Sequence, residues 1–488
     1  MQSLNSVVLV DFRRILVYNT FVLKKYEGEN VEKENILGYE KIPKLLIKFA
    51  LPSIFAMIIS SLYNIVDQIF IGQGVGMLGN GATNVAFPLT TICLALSLLI
   101  GVGCAAGFSL KLGAGNREAA AKYVGNAVIM MFVIGVTYAA VILLFAEPML
   151  TLFGATKAIM PYALEYTKVI AVGIPLLVVI NVMSNLIRAD GSPTYSMLCM
   201  VSGAVVNTVL DYLFVMVFPW GMAGAAWATV IGQAVSFIMV IIYIKKFKNV
   251  TLTRESFKIE FKIWGTIAGL GLSNSLNQVA ITLVQIVMNN SLKHYGALSS
   301  YGADIPIAAC GIVMKVNSIL VSIFVGMSQG SQPIIGFNYG AGKYKRARKT
   351  YVLACVITVA VSLIGWFFFQ FTPRPIIELF GDDGNELYFQ FAEMFMRTFL
   401  LMIAINGVQT ISSNFFSAIG KPLKGAFLSL TRQVLFLIPL LLIMPIFFGV
   451  EGILYTAPIS DTLAFILSIA FVLKEFSIMK KQEKLQNI

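Results

Sequence analysis

Charge is scarce in this chain of 488 residues: Asp, Glu, Lys and Arg make up 12% of it, where soluble domains carry about 25%. A water-soluble globular fold is thereby excluded, because it could not solvate its own surface. Histidine is nearly absent, His294 being the single one, which argues against any site built from imidazole ligands. There is no HExxH, no Walker loop and no Ser or Cys with a histidine partner. Zinc hydrolysis, ATP-driven work by this chain alone and nucleophilic catalysis fall away with them, and so does an enzyme in general. The five cysteines, Cys93, Cys104, Cys199, Cys310 and Cys355, lie in or beside apolar stretches and read as small hydrophobes. No disulfide framework is implied.

What the chain has is hydrophobic length. Hydrophobic residues form 58% of it, with a mean hydropathy of +0.82. A window of about 19 residues finds about twelve apolar segments between residues 46 and 473, each long enough to cross a hydrocarbon core of roughly 30 Å as a helix. The runs are continuous, without the strict alternation of barrel strands. The expected fold is an all-α polytopic membrane protein. Basic residues set its orientation, because Lys and Arg are retained on the cytoplasmic side. One set of loops holds nearly all of them, from Lys41, Lys44 and Lys48 through Lys343 to Lys349 and on to Lys484; the opposite loops carry only Lys157, Lys293 and Arg374. Both termini are expected in the cytoplasm, with the chain in the cell (inner) membrane. The net charge of +12 is spread over separate loops and not gathered in one stripe, so nucleic acid is not an expected partner. Residues 1–40 read as a disordered, dispensable cytoplasmic extension.

The second half of the chain repeats the first. LGAGNREAAAKYV after span 2 matches YGAGKYKRARKTYV after span 8, with Gly113 and Gly115 answering Gly340 and Gly342; ADGSP after span 4 matches AIGKP after span 10; GMAG before span 6 matches GVEG before span 12. Six spans per copy is an even number, so both copies enter the membrane in the same direction and are related by a pseudo-twofold axis along the membrane normal. Two six-helix lobes follow: 41–247 and 263–475, joined by a cytoplasmic linker at 248–262 and ended by a tail at 476–488. A substrate cavity is expected between the lobes, with rocking as the means of alternating access.

These motifs resemble a known family. The GAG pattern after spans 2 and 8, the RADG at 188–191, the N-x-x-x-D of Asn207 and Asp211, and the GMAGAAWAT of 221–229 look like the multidrug and toxic compound extrusion (MATE) transporters, closest to their MepA-like bacterial branch. The resemblance covers about residues 38–475. It implies an ion-driven antiporter with a V-shaped pair of lobes, working as a monomer on small-molecule organic cations.

Inside the spans few ionisable groups remain: Asp67, Asp211, Lys315, Arg432 and Asp461. A buried charge costs several kcal/mol unless it is paired or lines water, so each is a candidate for function. Asp67 and Asp211 both lie toward the outer ends of outward-running spans, with no basic residue in the spans of their own lobe. Two such carboxylates either share a proton or bind a monovalent cation. Asn207 shares a helical face with Asp211, and Thr229 reaches a comparable depth on span 6. The resemblance places the cation or proton site at Asp67, Asn207, Asp211 and Thr229, with a span 4 asparagine that is either Asn181 or Asn185. No cofactor is expected beyond the coupling ion, H+ or Na+, and sodium at this site is the one metal allowed for. Lys315 and Asp461 lie at matching depths in spans 8 and 12 and are expected to form a pair or to flank one cavity, while Arg432 is expected to snorkel to the cytoplasmic surface. The leading expectation is export of amphiphilic, cationic organic compounds or drugs by antiport against H+ or Na+. The alternative is a flippase or exporter of lipid-linked or polysaccharide precursors, which would need a strongly cationic cavity.

Overall fold

The computed structural model describes residues 35–302, 304–378 and 386–486. Helices make up nearly all of them, because lipid offers a backbone no hydrogen-bond partners and each segment must satisfy its own. The first half contributes α1 (Ile42–Gly74), α2 (Met77–Gly113), α3 (Arg117–Leu152), α4 (Met160–Ala189), α5 (Pro193–Asp211, continued by a π-helical turn at Tyr212–Val217) and α6 (Gly221–Ile244). In the second half α7 (Phe261–Ala297), α8 (Asp304–Gly340) and α9 (Tyr344–Phe371) precede α10, two segments, Glu386–Phe399 and Ile403–Ala418, bent by 49°. Pro422–Gln486 then runs for 65 residues. At about 1.5 Å per residue that length would cross a bilayer core of roughly 30 Å three times over. The break is at Gly449, whose φ of 58° and ψ of −146° reverse the chain. It divides the segment into α11 (422–448) and α12 (450–486), which brings the spans among the described residues to twelve.

The repeat seen in the sequence is a repeat in packing. After α2 and α8 the chain turns at Gly115 and Gly342, with φ of 78° and 70°, a region that favours glycine because it lacks a Cβ. Between the lobes α2 packs on α7, and α1 packs on α8. A Cβ on Gly103 would fall 1.9 Å from the Ile267 carbonyl oxygen; on the symmetry-related crossing a Cβ on Gly330 would fall 2.4 Å from the Ala50 Cα. Residues 100–109 of α2 and 326–338 of α8 are buried without interruption. One continuous hydrophobic core joins both lobes at the basic-loop end, where Phe108 and Val124 meet Ile334, Phe415 and Met479. The other end of the second lobe keeps a separate core around Leu292, Phe324, Phe395 and Leu454. The lobes are therefore joined by a shared core at the basic-loop end.

Gly103→Val is expected to force this crossing open, at a cost of about 1–3 kcal/mol or more. The partner helix α7 supplies the control: nothing lies within 4 Å of a Cβ on Gly269, so Gly269→Ala should be neutral or stabilising by about 0.5–1 kcal/mol. Thermal melting of the purified protein in detergent separates the two.

Two boundaries differ from the sequence reading. Of the expected extension, residues 1–34 lie outside the described residues, but 35–40 form a 3-10 turn (Ile36–Gly38) with Leu37 and Gly38 buried. Its carbonyls are held by side chains of the second lobe, contacts that composition does not reveal. The expected tail from 476 onward is instead the end of α12, helical to Gln486, with Met479 buried and Glu483 paired to Arg348 at 2.7 Å. All five cysteines are free, four of them buried.

Each lobe also ties a loop to the end of its last helix. In the first, Asp190 is fully buried and accepts from the Tyr243 hydroxyl (2.8 Å) and the Lys248 and Asn249 amides (2.8 and 3.0 Å). Burial holds its carboxyl above the usual carboxylate range, with these donors opposing the shift. The second lobe reverses the chemistry: Glu475 on α12 is buried, and Lys421 from the loop and Lys424 from the first turn of α11 donate to it. In the sequence Asp190 stands only as part of the RADG motif and Glu475 looks like a tail charge, and neither is expected to be an anchor.

Candidate functional site

The first lobe brings its two acids together. α1 closes on α5 because Gly74 has no side chain: a Cβ there would lie 2.3 Å from Val215. Phe70 packs on Tyr212 with ring centroids 6.2 Å apart. Asp67 and Asp211 lie within each other's electrostatic reach there, and Asp211 is 1% exposed and stands at the start of the π-helical turn. α6 is drawn against α5 in the same way, since a Cβ on Gly232 would meet the Gly203 carbonyl oxygen at 2.6 Å. Asn207, buried beside Asp211, can then donate through Nδ2 to the Thr229 hydroxyl at 3.3 Å.

The oxygens of this cluster are left without donors. Oδ1 of Asp67, both carboxylate oxygens of Asp211 and Oδ1 of Asn207 are buried and accept no hydrogen bond among the described residues. No ion pair with Lys, Arg or His involves either acid among those residues. An unpaired buried carboxylate is costly, and a buried acceptor without a donor costs about 1–3 kcal/mol. A proton or a small cation relieves both costs at one point. Four groups expected from the sequence, Asp67, Asn207, Asp211 and Thr229, thus converge. Three neighbours were missed. The phenols of Tyr63 and Tyr166 lie in the electrostatic reach of both acids, and Gln233, one turn on from Thr229, has a buried Oε1 without a donor. Tyr63 had a signal, four residues before Asp67 on one helical face; Tyr166 on α4 had none.

The two asparagines offered by span 4 stand differently. Asn185 donates to the Asn181 carbonyl at 2.8 Å and accepts from the buried Arg188 guanidinium at 2.8 Å, so it anchors the RADG turn. Asn181 donates to the Leu177 carbonyl at 2.9 Å, and no hydrogen bond joins it to either acid.

The expected Lys315 to Asp461 pair does not form. Asp461, 3% exposed, is held by the Arg432 guanidinium and accepts from Asn406 at 3.1 Å. Lys315 is exposed and has no carboxylate partner among the described residues. Arg432 does not reach for the surface either. It lies in the π-helical turn Thr431–Leu437 of α11, next to α12 in the chain and antiparallel to it. Depth along a helix fixes height but not direction, and the consecutive helix presents the nearer cation. In the same lobe Asn274 donates to Asn414 at 2.9 Å, which donates in turn to Ser328 at 2.5 Å. The acids of the second lobe's interior are thus paired while those of the first are not.

Comparison with known proteins agrees with this architecture. The MatE family profile matches residues 52–213 and 274–443, one block in each lobe. The chain is 24% identical over 447 residues to the multidrug export protein MepA of Staphylococcus aureus, covering 91% of this chain and 96% of that one. It is also 24% identical over 430 residues to an FAD transporter of Shewanella oneidensis, covering 86% and 92%. Among solved structures, an outward-facing multidrug resistance MATE family transporter of the MOP superfamily superimposes with a TM-score of 0.86 at 22% identity, over 93% of this chain and all of that one. With a family match over both halves of the chain and the same fold throughout, this multi-pass membrane protein belongs to the MatE family.

Proposed function

We propose that the chain is a secondary antiporter that exports amphiphilic organic cations, drugs among them, in exchange for H+ or Na+ by rocking of its two lobes. The reading also has the protein work as a monomer in the bacterial inner membrane, with both termini and the basic loops in the cytoplasm. Family membership supports a transporter and not an enzyme. The observation that carries the coupling is the cluster of donorless oxygens at Asp67, Asn207 and Asp211. Only a site whose occupancy follows an ion concentration can make transport answer to a gradient, and a partnered acid would be silent. Protonation gives the cluster the donor it lacks; sodium would instead draw on the same carboxylate and amide oxygens with Thr229. Substrate release and ion entry are then opposite phases of one cycle, since an ion shifts the lobes only by its differential affinity for the two states.

The flippase alternative needs a cationic cavity. Arg432 is committed to Asp461, which leaves only Lys315 of the two span cations considered for that role and weakens that reading.

The test is efflux of a fluorescent cationic dye from everted membrane vesicles under separately imposed proton and sodium gradients. Uphill dye movement under one of them is expected. Dye movement insensitive to both would overturn the antiport reading.

A further inference from the structure

The two lead-ins to the lobes cross over. The segment before α7 docks on the first lobe: Asn126 of α3, fully buried, donates to the Lys258 carbonyl at 3.1 Å and accepts from the Glu260 amide at 2.9 Å and the Trp264 indole at 3.0 Å. The segment before α1 docks on the second lobe. There the Leu37 carbonyl accepts from Asn338 Nδ2 at 2.9 Å and from the Arg346 guanidinium at 3.2 Å, which also reaches the Glu40 carbonyl at 2.6 Å. Lys343 Nζ donates to the Gly38 carbonyl at 3.1 Å. Arg346 is itself oriented by Asn338 Oδ1, 3.0 Å from its Nε. At the other end of this segment Asn35 Nδ2 donates to Asn249 Oδ1 at 2.9 Å, and Asn249 is fastened to Asp190 of the first lobe by both its amides.

The donors are specific to one copy of the repeat. Where the second lobe has Asn338, Lys343 and Arg346 around its GAG turn, the first has Lys111, Asn116 and Ala119 at the matching positions. The turn itself is kept in both copies, so the turn alone does not require this trio.

We infer that residues 35–40 are a strap across the basic-loop end of the molecule, buckled by Arg346 and Asn338 on one lobe and by Asn249 on the other, which must release before the lobes can part at that end. A chain of hydrogen bonds from Asp190 through Asn249 and Asn35 to Arg346 ties the lobes in the closed arrangement described here. The guanidinium contacts are the strongest links, because hydrogen bonds from a charged donor outweigh neutral ones. The strap biases the conformational equilibrium and has no part in ion chemistry. It rests on the alternating-access reading only for its consequence in transport.

Distance measurement tests it without transport. Spin labels at Thr194→Cys and Lys349→Cys, exposed positions on opposite lobes at the basic-loop end, are placed in the full chain with its five native cysteines replaced by Ala, and distances are read by pulsed electron paramagnetic resonance in liposomes. Arg346→Ala is expected to raise the ratio of the long-distance to the short-distance population about tenfold, the loss of two charged hydrogen bonds to carbonyls being large on this scale. Asn35→Ala, at a half-buried position and gentle on folding, should raise it about two- to threefold. Unchanged distributions in both variants overturn the strap. So does a lower melting temperature with unchanged distances in Arg346→Ala, which would make the contact a static anchor. Should Arg346→Ala not fold, Asn35→Ala and Asn249→Ala decide the matter. Failure of the antiport reading would show as gradient-insensitive efflux and would leave the distance result standing.

Discussion

Asp211→Asn is expected to abolish gradient-driven efflux while leaving the protein as stable as the parent chain, or more so. Asp211 is buried, and among the described residues it accepts no hydrogen bond and has no cationic partner. Replacing it with a neutral isostere removes an unpaired charge from a site that does not stabilise it, so melting should stay level or rise. Transport should move the other way, because an amide can neither take up a proton nor offer a second anionic oxygen to sodium. Coupling between two ligands is typically about 1–3 kcal/mol, and its loss corresponds to about a 5- to 150-fold fall in the concentration ratio the gradient can sustain. Asp67→Asn should act in the same direction. The double variant should be no worse than either single one, since contacting groups that work as a unit are not additive. Dye accumulation in everted vesicles and melting of the same preparations read the two effects side by side. Gradient-driven efflux at the parent level in Asp211→Asn would remove the coupling assignment; a large drop in melting would show that the acid is structural.

Much of the architecture was legible in the sequence because a bilayer imposes few choices: apolar runs had to be helices, the basic loops marked one end, and the matched GAG turns announced the repeat. Asp67 and Asp211 were legible for a related reason, as the acids of the first lobe's apolar runs without a nearby cation, and helical spacing added Asn207 to Asp211. What the sequence withheld is azimuth. Asp461 and Lys315 share a depth but not a direction, and the π-helical turn at Thr431–Leu437 sets Arg432 on the α12 side. Asn185 likewise has the right depth but is spent on Arg188. The strap was invisible because its acceptors are the backbone carbonyls of Leu37, Gly38 and Glu40, which any residues would supply.

Arg432→Met should be the most destabilising single change in the interior of the second lobe. The pair it breaks is nearly dry, with side-chain exposures of 15% for Arg432 and 2% for Asp461. Forming such a pair gains little over an apolar alternative, but removing one partner leaves the other charge buried, at a cost of about 3–5 kcal/mol. Asn406 would remain as a donor to Asp461 at 3.1 Å, and one neutral amide does not replace a guanidinium. The double variant Arg432→Met with Asp461→Leu takes both charges out of the lobe, so it should recover most of the loss and can exceed the parent chain by about 1–4 kcal/mol. Melting curves of the parent, both single variants and the double complete the cycle. The efflux assay adds the functional half of the argument: if the pair only holds α11 to α12, the double variant transports as the parent does. A double variant that is stable yet inactive would instead make Arg432 and Asp461 part of the transport path, and coupling could no longer be assigned to the first lobe alone.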